Sequence, residues 1–294
     1  MSSSSSKILV PIGFSEQSVI AFDQACSFAK LDNAKVFLLS VVEERSTMQN
    51  LFLDDNSHEL KKKVHKKLSE IALEYSKKYK LEIEIMVAQG KIYNQINEVS
   101  EMIAADLIIM GTTGSPKDRI KRFIGSNAER VVRLAKCPVI TIKGATINGE
   151  CNNIILPLDT EKETKEKVTY AIKYARIWNA NIQLVSVVLK DSSAIRTKLI
   201  RNLEQVEKFV TDAGIKCVSN LLEGDIKQNV GDCIFEFQKK FDDDIFMIMT
   251  KKEELSLSKN ISVTARYIIN NSPIPVMNIR PKERKHITGP TTAF

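Results

Sequence analysis

Three glycines and a serine in the first half of the chain could form a turn that binds phosphate. Residues 106–126 read DLIIMGTTGSPKDRIKRFIGS: an apolar run ends at Gly111 and Gly114, and a helix-like stretch follows Gly125 and Ser126. Glycine permits left-handed backbone and close approach of a ligand, and the N–H groups of such a turn or of a helix start hold anions. The pattern predicts either a di- or triphosphate site or a plain strand-to-helix turn.

Four cations, Lys117, Arg119, Lys121 and Arg122, lie between the second and third of these glycines. The stretch has neither G-x-x-x-x-G-K-[ST] nor G-x-G-x-x-G, so it lacks the fixed lysine of a P-loop and the dinucleotide fingerprint. A Gly-x-x-Gly pair after a strand is weak evidence by itself. The choice between the two interpretations therefore depends on the elements that position the turn.

The rest of the sequence contains little that suggests catalysis. The three histidines, His58, His65 and His286, are scattered, and no positioned base, Ser/His/Asp triad or metal cluster is recognisable. None of the five cysteines has C-x-x-C spacing, which is typical of reduced thiols. We expect a protein that is not an enzyme and has no metal site, with weak ATPase activity as the enzymatic alternative.

The composition is that of a globular protein, with 43% apolar and 27% charged residues and a net charge of +7. No apolar run approaches the ~20 residues of a membrane span, and MSSSSSK lacks the apolar core of a secretory signal. The sparse aromatic residues do not alternate with the basic ones, as they do on nucleic-acid stacking surfaces. We expect a cytoplasmic location, with no membrane and no specific nucleic acid as partner.

The chain repeats a unit of about 140 residues. KILVPIGFSEQSVIAFDQACSFAKLDNAKVFLLSVV, from Lys7, aligns without gaps with NIILPLDTEKETKEKVTYAIKYARIWNANIQLVSVV, from Asn153, and later stretches align as well. Glycine and asparagine interrupt the pattern in KGATINGECNN. The predicted domains are 1–146 and 151–281, followed by a disordered tail, 282–294.

Each repeat alternates apolar strands with amphipathic helices. The strands of the first repeat are predicted at 8–12, 35–42, 82–88, 106–110 and 138–142, and a helix at 57–79. Runs of Val, Ile and Leu indicate strands buried on both faces. The fold class is therefore α/β, with two doubly wound (Rossmann-like) domains, each a five-stranded parallel sheet between helix layers. Ligands of such sheets bind beyond the carboxyl ends of the strands.

The repeat resembles the universal stress protein family. The resemblance is carried by ILVPIGFSEQSVIAFDQA, LLSVV, ADLIIMGTTG and FIGSNAERVVRLAKCPVITIK, and covers nearly all of residues 7–280, so the chain looks like a tandem pair of such domains. It implies a non-catalytic, regulatory stress-response protein. In some members G-x(2)-G-x(9)-G-[ST] binds the phosphates and ribose of ATP. An Asp after the first strand holds the ribose or adenine region, and a valine ending the second strand contacts the adenine.

The resemblance implies a site for ATP or a related adenine nucleotide in the first domain, with Mg²⁺ present only together with the nucleotide. Ten residues instead of nine separate Gly114 from Gly125, and Gly13 stands where the family has Asp. A missing carboxylate costs on the order of 1–3 kcal/mol of affinity. The candidate nucleotide-binding residues are Pro11, Gly13, Val41, Met110, Gly111, Thr113, Gly114, Gly125, Ser126 and Asn127.

The second domain shows the reverse pattern. Asp159 occupies the family's Asp position, whereas Met249, Lys252 and Ser262 stand at the three glycine positions. Asp159 is thus a second-domain candidate, with capping of the following helix as the alternative. Neither repeat has the full set, which favours the alternative that the protein is a partner-binding or structural module that has lost nucleotide binding.

Both repeats end in an apolar strand, at 139–142 and 276–279. The last strand of a sheet with this order is an edge with unpaired backbone groups, and domains of the family commonly dimerise through it. We expect the two edges to pair within one chain, as an intramolecular pseudo-dimer.

Overall fold

A computed structural model describes residues 5–43, 57–112, 124–143, 151–159, 164–189, 193–225, 227–241, 244–250 and 263–280. Within these ranges strands and helices alternate along the chain. The first half consists of β1 (Lys7–Pro11), α1 (Glu16–Asp32), β2 (Lys35–Val42), α2 (Ser57–Tyr79), β3 (Ile83–Gln89), α3 (Ile92–Met102), β4 (Leu107–Gly111), α4 (Ser126–Leu134) and β5 (Val139–Ile142). The second consists of β6 (Asn153–Pro157), α5 (Thr164–Trp178), β7 (Asn181–Val188), α6 (Ser193–Asp212), β8 (Cys217–Glu223), α7 (Val230–Gln238), β9 (Asp244–Met249), α8 (Val263–Asn271) and β10 (Val276–Ile279).

All ten strands belong to one sheet, in the order β3-β2-β1-β4-β5-β10-β9-β6-β7-β8. Neighbours within each half are parallel, so the predicted α/β class is confirmed. The two five-stranded halves are continuous with each other, because β5 and β10 pair antiparallel. The predicted tail at 282–294 and the interruption at 144–150 lie outside the described residues.

Successive strand residues point to opposite faces of the sheet and enter two separate cores. In β1, Ile8 and Val10 belong to the core under α1, α2, α5 and α6, whereas Leu9 belongs to the core under α3, α4, α7 and α8. Each core contains residues from both halves. Burial on both faces explains why the strands are continuous Val/Ile/Leu runs rather than alternating patterns.

Side-chain contacts as well as backbone pairing hold the two halves together at their junction. In the β5–β10 pair, Asn278 lies opposite Val139 and its Nδ2 donates to the Val139 carbonyl at 3.0 Å. On one face of the sheet α1 contacts α5, and the rings of Phe28 and Trp178 stack with their centroids 4.8 Å apart. A stacked and buried aromatic pair of this kind contributes about 0.5–1.5 kcal/mol beyond its buried area.

Candidate functional site

A cleft of about 310 Å³ opens beyond the carboxyl ends of the first-half strands. β1 lies between β2 and β4 there, so the connections leaving β1 and β4 diverge and leave a crevice, the usual ligand position in such sheets. The lining residues are Pro11, Ile12, Gly13, Ser15, Ser18, Leu39, Val41, Ile92, Ile96, Met110, Gly111, Thr112, Gly125, Ser126, Asn127 and Ala128.

The cleft brings together most of the residues singled out in the sequence. Eight of the ten candidates line it; the other two, Thr113 and Gly114, lie outside the described residues, as do the four cations of the same segment. Sequence reasoning missed Ser15, the N-cap of α1, and Ser18 in the first turn of that helix, although a serine just before a helix is an N-cap signal. It also missed Ile92 and Ile96, whose spacing of four residues marks the inner face of α3.

The turn after β1 forms one rim of the cleft. Ile12 N–H donates to the Leu39 carbonyl at 2.8 Å, which extends the β1–β2 pairing to the cleft edge. Ser15 then caps α1, its Oγ accepting from Ser18 N–H at 3.3 Å. Gly13 is exposed, and a Cβ placed on it meets no atom within 4 Å. There is therefore open space beside the cleft where the carboxylate of an Asp at position 13 would lie.

The start of α4 forms the opposite rim. Its N-cap residue is Gly125, which has no side chain to accept a hydrogen bond from the first turn. The first N–H groups of a helix have no partner within the helix, and they carry a partial positive charge. Ser126, Asn127 and Ala128 of this turn all line the cleft. The arrangement matches the way helix starts bind phosphate.

Gly111 and Gly125 also have a packing reason to be glycine. A Cβ on Gly111 would lie 2.9 Å from the Gln17 carbonyl oxygen, and one on Gly125 would lie 2.8 Å from the Thr112 carbonyl oxygen. Gly125 N–H donates to that same Thr112 oxygen at 2.7 Å, so the two ends of the segment 113–124 meet. These two glycines are therefore explained without any ligand, as the turn interpretation requires.

The described lining of the cleft is uncharged. Its floor is apolar, with Leu39, Ile96 and Met110 buried, and its polar atoms are hydroxyl, amide and backbone groups. Within the described residues no group of three or more His, Cys, Asp or Glu is placed to hold a metal ion. Lys143, which follows β5, is partly buried, and burial lowers the pKa of its ammonium group.

The corresponding place in the second half is built differently. Lys167, which aligns with Ala21, reaches the end of β6, where its Nζ donates to the Pro157 carbonyl at 2.5 Å. Asp159 is exposed, and its carbonyl accepts from Asn202 Nδ2 at 2.9 Å. The helix α5 is described from Thr164 onward, and residues 160–163 lie outside the described part, so capping by Asp159 stays a prediction. Residues 251–262, including Lys252 and Ser262, lie outside the described part.

No helix within the described residues is long and apolar enough to cross a lipid bilayer. None of the five cysteines, all of which lie in the described part of the chain, forms a disulfide bond.

Comparison with known proteins identifies the relatives of this fold. Residues 5–143 match the model of the universal stress protein family. A universal stress protein of Methanocaldococcus jannaschii is 34% identical over 142 residues, which cover 47% of this chain and 81% of the relative. The crystal structure of a universal stress protein from Archaeoglobus fulgidus superposes with a TM-score of 0.75 at 20% identity, covering 94% of this chain and 98% of that one. A protein of unknown function from Pseudomonas aeruginosa superposes with a TM-score of 0.66 at 19% identity, covering 94% and 92%.

Proposed function

This chain belongs to the universal stress protein family, and we propose that its first half binds ATP or a related adenine nucleotide in the cleft between β1, β4 and α4. The observation that carries the proposal is the start of α4 at the cleft wall, where the N-cap is a glycine and, among the described residues, no side chain caps the first turn. Helix starts of this kind favour phosphate. The apolar floor around Leu39, Val41 and Met110 suits a flat base.

The dimensions and chemistry of the cleft support a small ligand held weakly. A volume of about 310 Å³ lies at the lower end of the range of small-molecule sites. Gly13 supplies no carboxylate for ribose hydroxyls or an adenine amine, so we expect binding weaker than in a site with the family Asp. Because the described lining offers no carboxylate, Mg²⁺ would enter as a companion of the phosphates, which is its usual mode.

We place the role of the nucleotide in regulation rather than turnover. General acid–base catalysis needs an ionisable group within hydrogen-bond reach of the reacting atom, and the described lining residues contain none. A nucleotide bound here changes the relative stability of conformations or the choice of partner. Weak ATP hydrolysis is the enzymatic alternative, and release of labelled phosphate from ATP would support it.

A second candidate function is a partner-binding or structural module without nucleotide. The packing of Gly111 and Gly125 against carbonyl oxygens favours it, since these glycines need no ligand to be explained. A thermal-shift measurement with ATP, ADP and inorganic phosphate, each at millimolar concentration, separates the two functions. We expect ATP and ADP to raise the melting temperature, and no shift with any of the three would favour the module.

The proposal includes the state of assembly and the location. The edges of the two halves are already paired with each other through β5 and β10, so we propose that one chain takes the place of the two-chain dimer of single-domain relatives. We also propose a cytoplasmic location, which the absence of disulfide bonds among the five cysteines supports. Light scattering tests the first point and cell fractionation the second.

A further inference from the structure

A residue of the second half reaches the rim of the first-half cleft. Asn270, in the last turn of α8, is 5% exposed, and its Oδ1 accepts a hydrogen bond from Ile124 N–H at 2.8 Å. The backbone carbonyl of Asn270 in turn accepts a hydrogen bond from the Lys143 ammonium group, just beyond β5. Asn270 thus contacts the first half at two places, just before α4 and just after β5.

Ile124 immediately precedes the residues that form the α4 rim. The next amide, Gly125 N–H, donates to the Thr112 carbonyl at 2.7 Å, and Thr112 N–H donates to the Ile142 carbonyl at 3.0 Å. Two consecutive amides are therefore fixed by different halves of the chain: Ile124 by the second and Gly125 by the first. Together they set the direction in which the N–H groups of the first α4 turn point.

We propose that Asn270 is a positioning residue of the nucleotide cleft, so that the first-half site is complete only when the second half is docked. The inference rests on the proposed function. Binding sites gain affinity when their hydrogen-bond donors are held in place before the ligand arrives. By linkage, a nucleotide that needs the ordered rim also stabilises the docking of the two halves, and docking strengthens nucleotide binding by the same factor.

The residue that matches Asn270 in the first half is of a different type. The first-half counterpart of Asn270, at the eighth position of the nine-residue helix α4, is Arg133, and Arg133 is exposed. The asparagine that contacts the first-half rim is therefore not repeated at the matching position of the first half. This agrees with a single nucleotide site per chain, with the second half acting as a permanent scaffold for it.

The test compares three variants of the full chain. Asn270→Leu removes the acceptor and keeps the side-chain volume, whereas Asn270→Asp keeps an acceptor oxygen. Arg266→Gln is the matched control, because it alters another contact between the halves, the one with Glu129, and leaves Ile124 untouched. Each protein is examined by amide hydrogen exchange at Ile124 and Gly125 without ligand, and by titration with ATP.

In Asn270→Leu we expect exchange at Ile124 to rise roughly tenfold or more, and ATP affinity to fall by a similar factor, as is typical when a buried amide loses its acceptor. Asn270→Asp should restore much of both, and Arg266→Gln should change each by less than about twofold. Unchanged exchange and affinity in folded Asn270→Leu would overturn the proposal. So would equal losses in Arg266→Gln, since these would indicate general weakening of the junction.

Two further outcomes are decided by the same data. If Asn270→Leu does not fold, Asn270→Ala replaces it, with the same expectations. If the wild-type chain binds no ATP, the proposed function fails, and the exchange rates alone decide whether Asn270 positions the rim. Loss of protection at Ile124 that is confined to the Asn270 variants supports that role. Unchanged protection in those variants refutes it.

Discussion

Glu129 and Arg266 occupy the same position in the two repeats and face each other across the junction. Each is the fourth residue of its nine-residue helix, α4 or α8, and Glu129 Oε1 lies 3.6 Å from Arg266 Nη2. Pairing two copies of the first repeat in the same way would place two glutamates together, and two copies of the second would place two arginines together. The pair therefore favours association of the first half with the second.

We predict that reversing one of these charges weakens the junction and reversing both restores it. Both side chains are more than a third exposed, so Glu129→Arg or Arg266→Glu should each lower the free energy of unfolding by only about 0.2–1 kcal/mol. The double variant should recover most of the loss, as measured by urea denaturation in a double-mutant cycle. Strictly additive losses would show that the two charges do not interact.

The wild-type chain should be a monomer in solution, because β5 and β10 already occupy each other's edges. Light scattering should give a mass near 33.1 kDa. A mass of twice that value at micromolar concentration would show that two chains associate through another surface. Pairing of the two repeats within one chain would then not be enough to keep the protein monomeric.

Replacing Gly13 with Asp should strengthen nucleotide binding. The position has room for the side chain, since a Cβ there meets nothing within 4 Å, and the carboxylate would accept bonds that the present cleft leaves unmade. We expect ATP affinity to rise roughly tenfold. Gly13→Asn is the control for size without charge and should give a smaller gain. Equal affinity in the wild type and Gly13→Asp would show that the ligand does not reach this rim.

Substitutions of Gly111 and Gly125 should destabilise the fold whether or not a nucleotide binds. An added Cβ would press on the backbone oxygens of Gln17 and Thr112, so Gly111→Ala and Gly125→Ala should each cost about 1–3 kcal/mol of unfolding free energy. Gly13→Ala serves as the control and should change stability by less than about 1 kcal/mol. Chemical denaturation measures all three. Wild-type stability in the first two would mean that the turn relaxes easily.

Buried thiols should make the protein resistant to thiol reagents and sensitive to alkali. Burial raises the pKa of Cys26, Cys137 and Cys217 from about 9 to about 12, so little thiolate forms at about pH 8. We expect partly exposed Cys233 to react first with Ellman's reagent, and Cys233→Ser to abolish the fast phase.

The raised pKa values of Cys26, Cys137 and Cys217 also predict how stability depends on pH. These thiols lose their protons near pH 9 in the unfolded chain but keep them in the native one, so the free energy of unfolding should fall between about pH 9 and pH 12.

Much of the fold follows from local pattern. The five first-half strands lie within one residue of the predicted ranges, and α2 spans Ser57–Tyr79 as predicted, because Val/Ile/Leu runs and a 3.6-residue period are properties of neighbouring residues. The apolar edge strands were recognisable for the same reason. The position of the glycines at the end of β4 was also recognisable, since glycines after an apolar run are a local signal.

The contacts that decide how the cleft is built were not predictable in this way. Asn270 and Ile124 are 146 residues apart. The space that a Cβ on Gly111 would find beside the Gln17 carbonyl depends on how closely α1 packs on β4. Composition and periodicity do not specify which side chain crosses a junction. Asn270, the first asparagine of RYIINNS, therefore looked like any other polar residue of a helix.

Calorimetric titration of ATP into the wild type, Val41→Trp and Val187→Trp tests the central claim most directly. Val41 lines the cleft, and Val187 holds the same position in β7 of the second half, with both valines partly buried. The account predicts one ATP per chain in the wild type, binding abolished by Val41→Trp, and binding unchanged by Val187→Trp. No heat with the wild type, or undiminished binding in folded Val41→Trp, would contradict it.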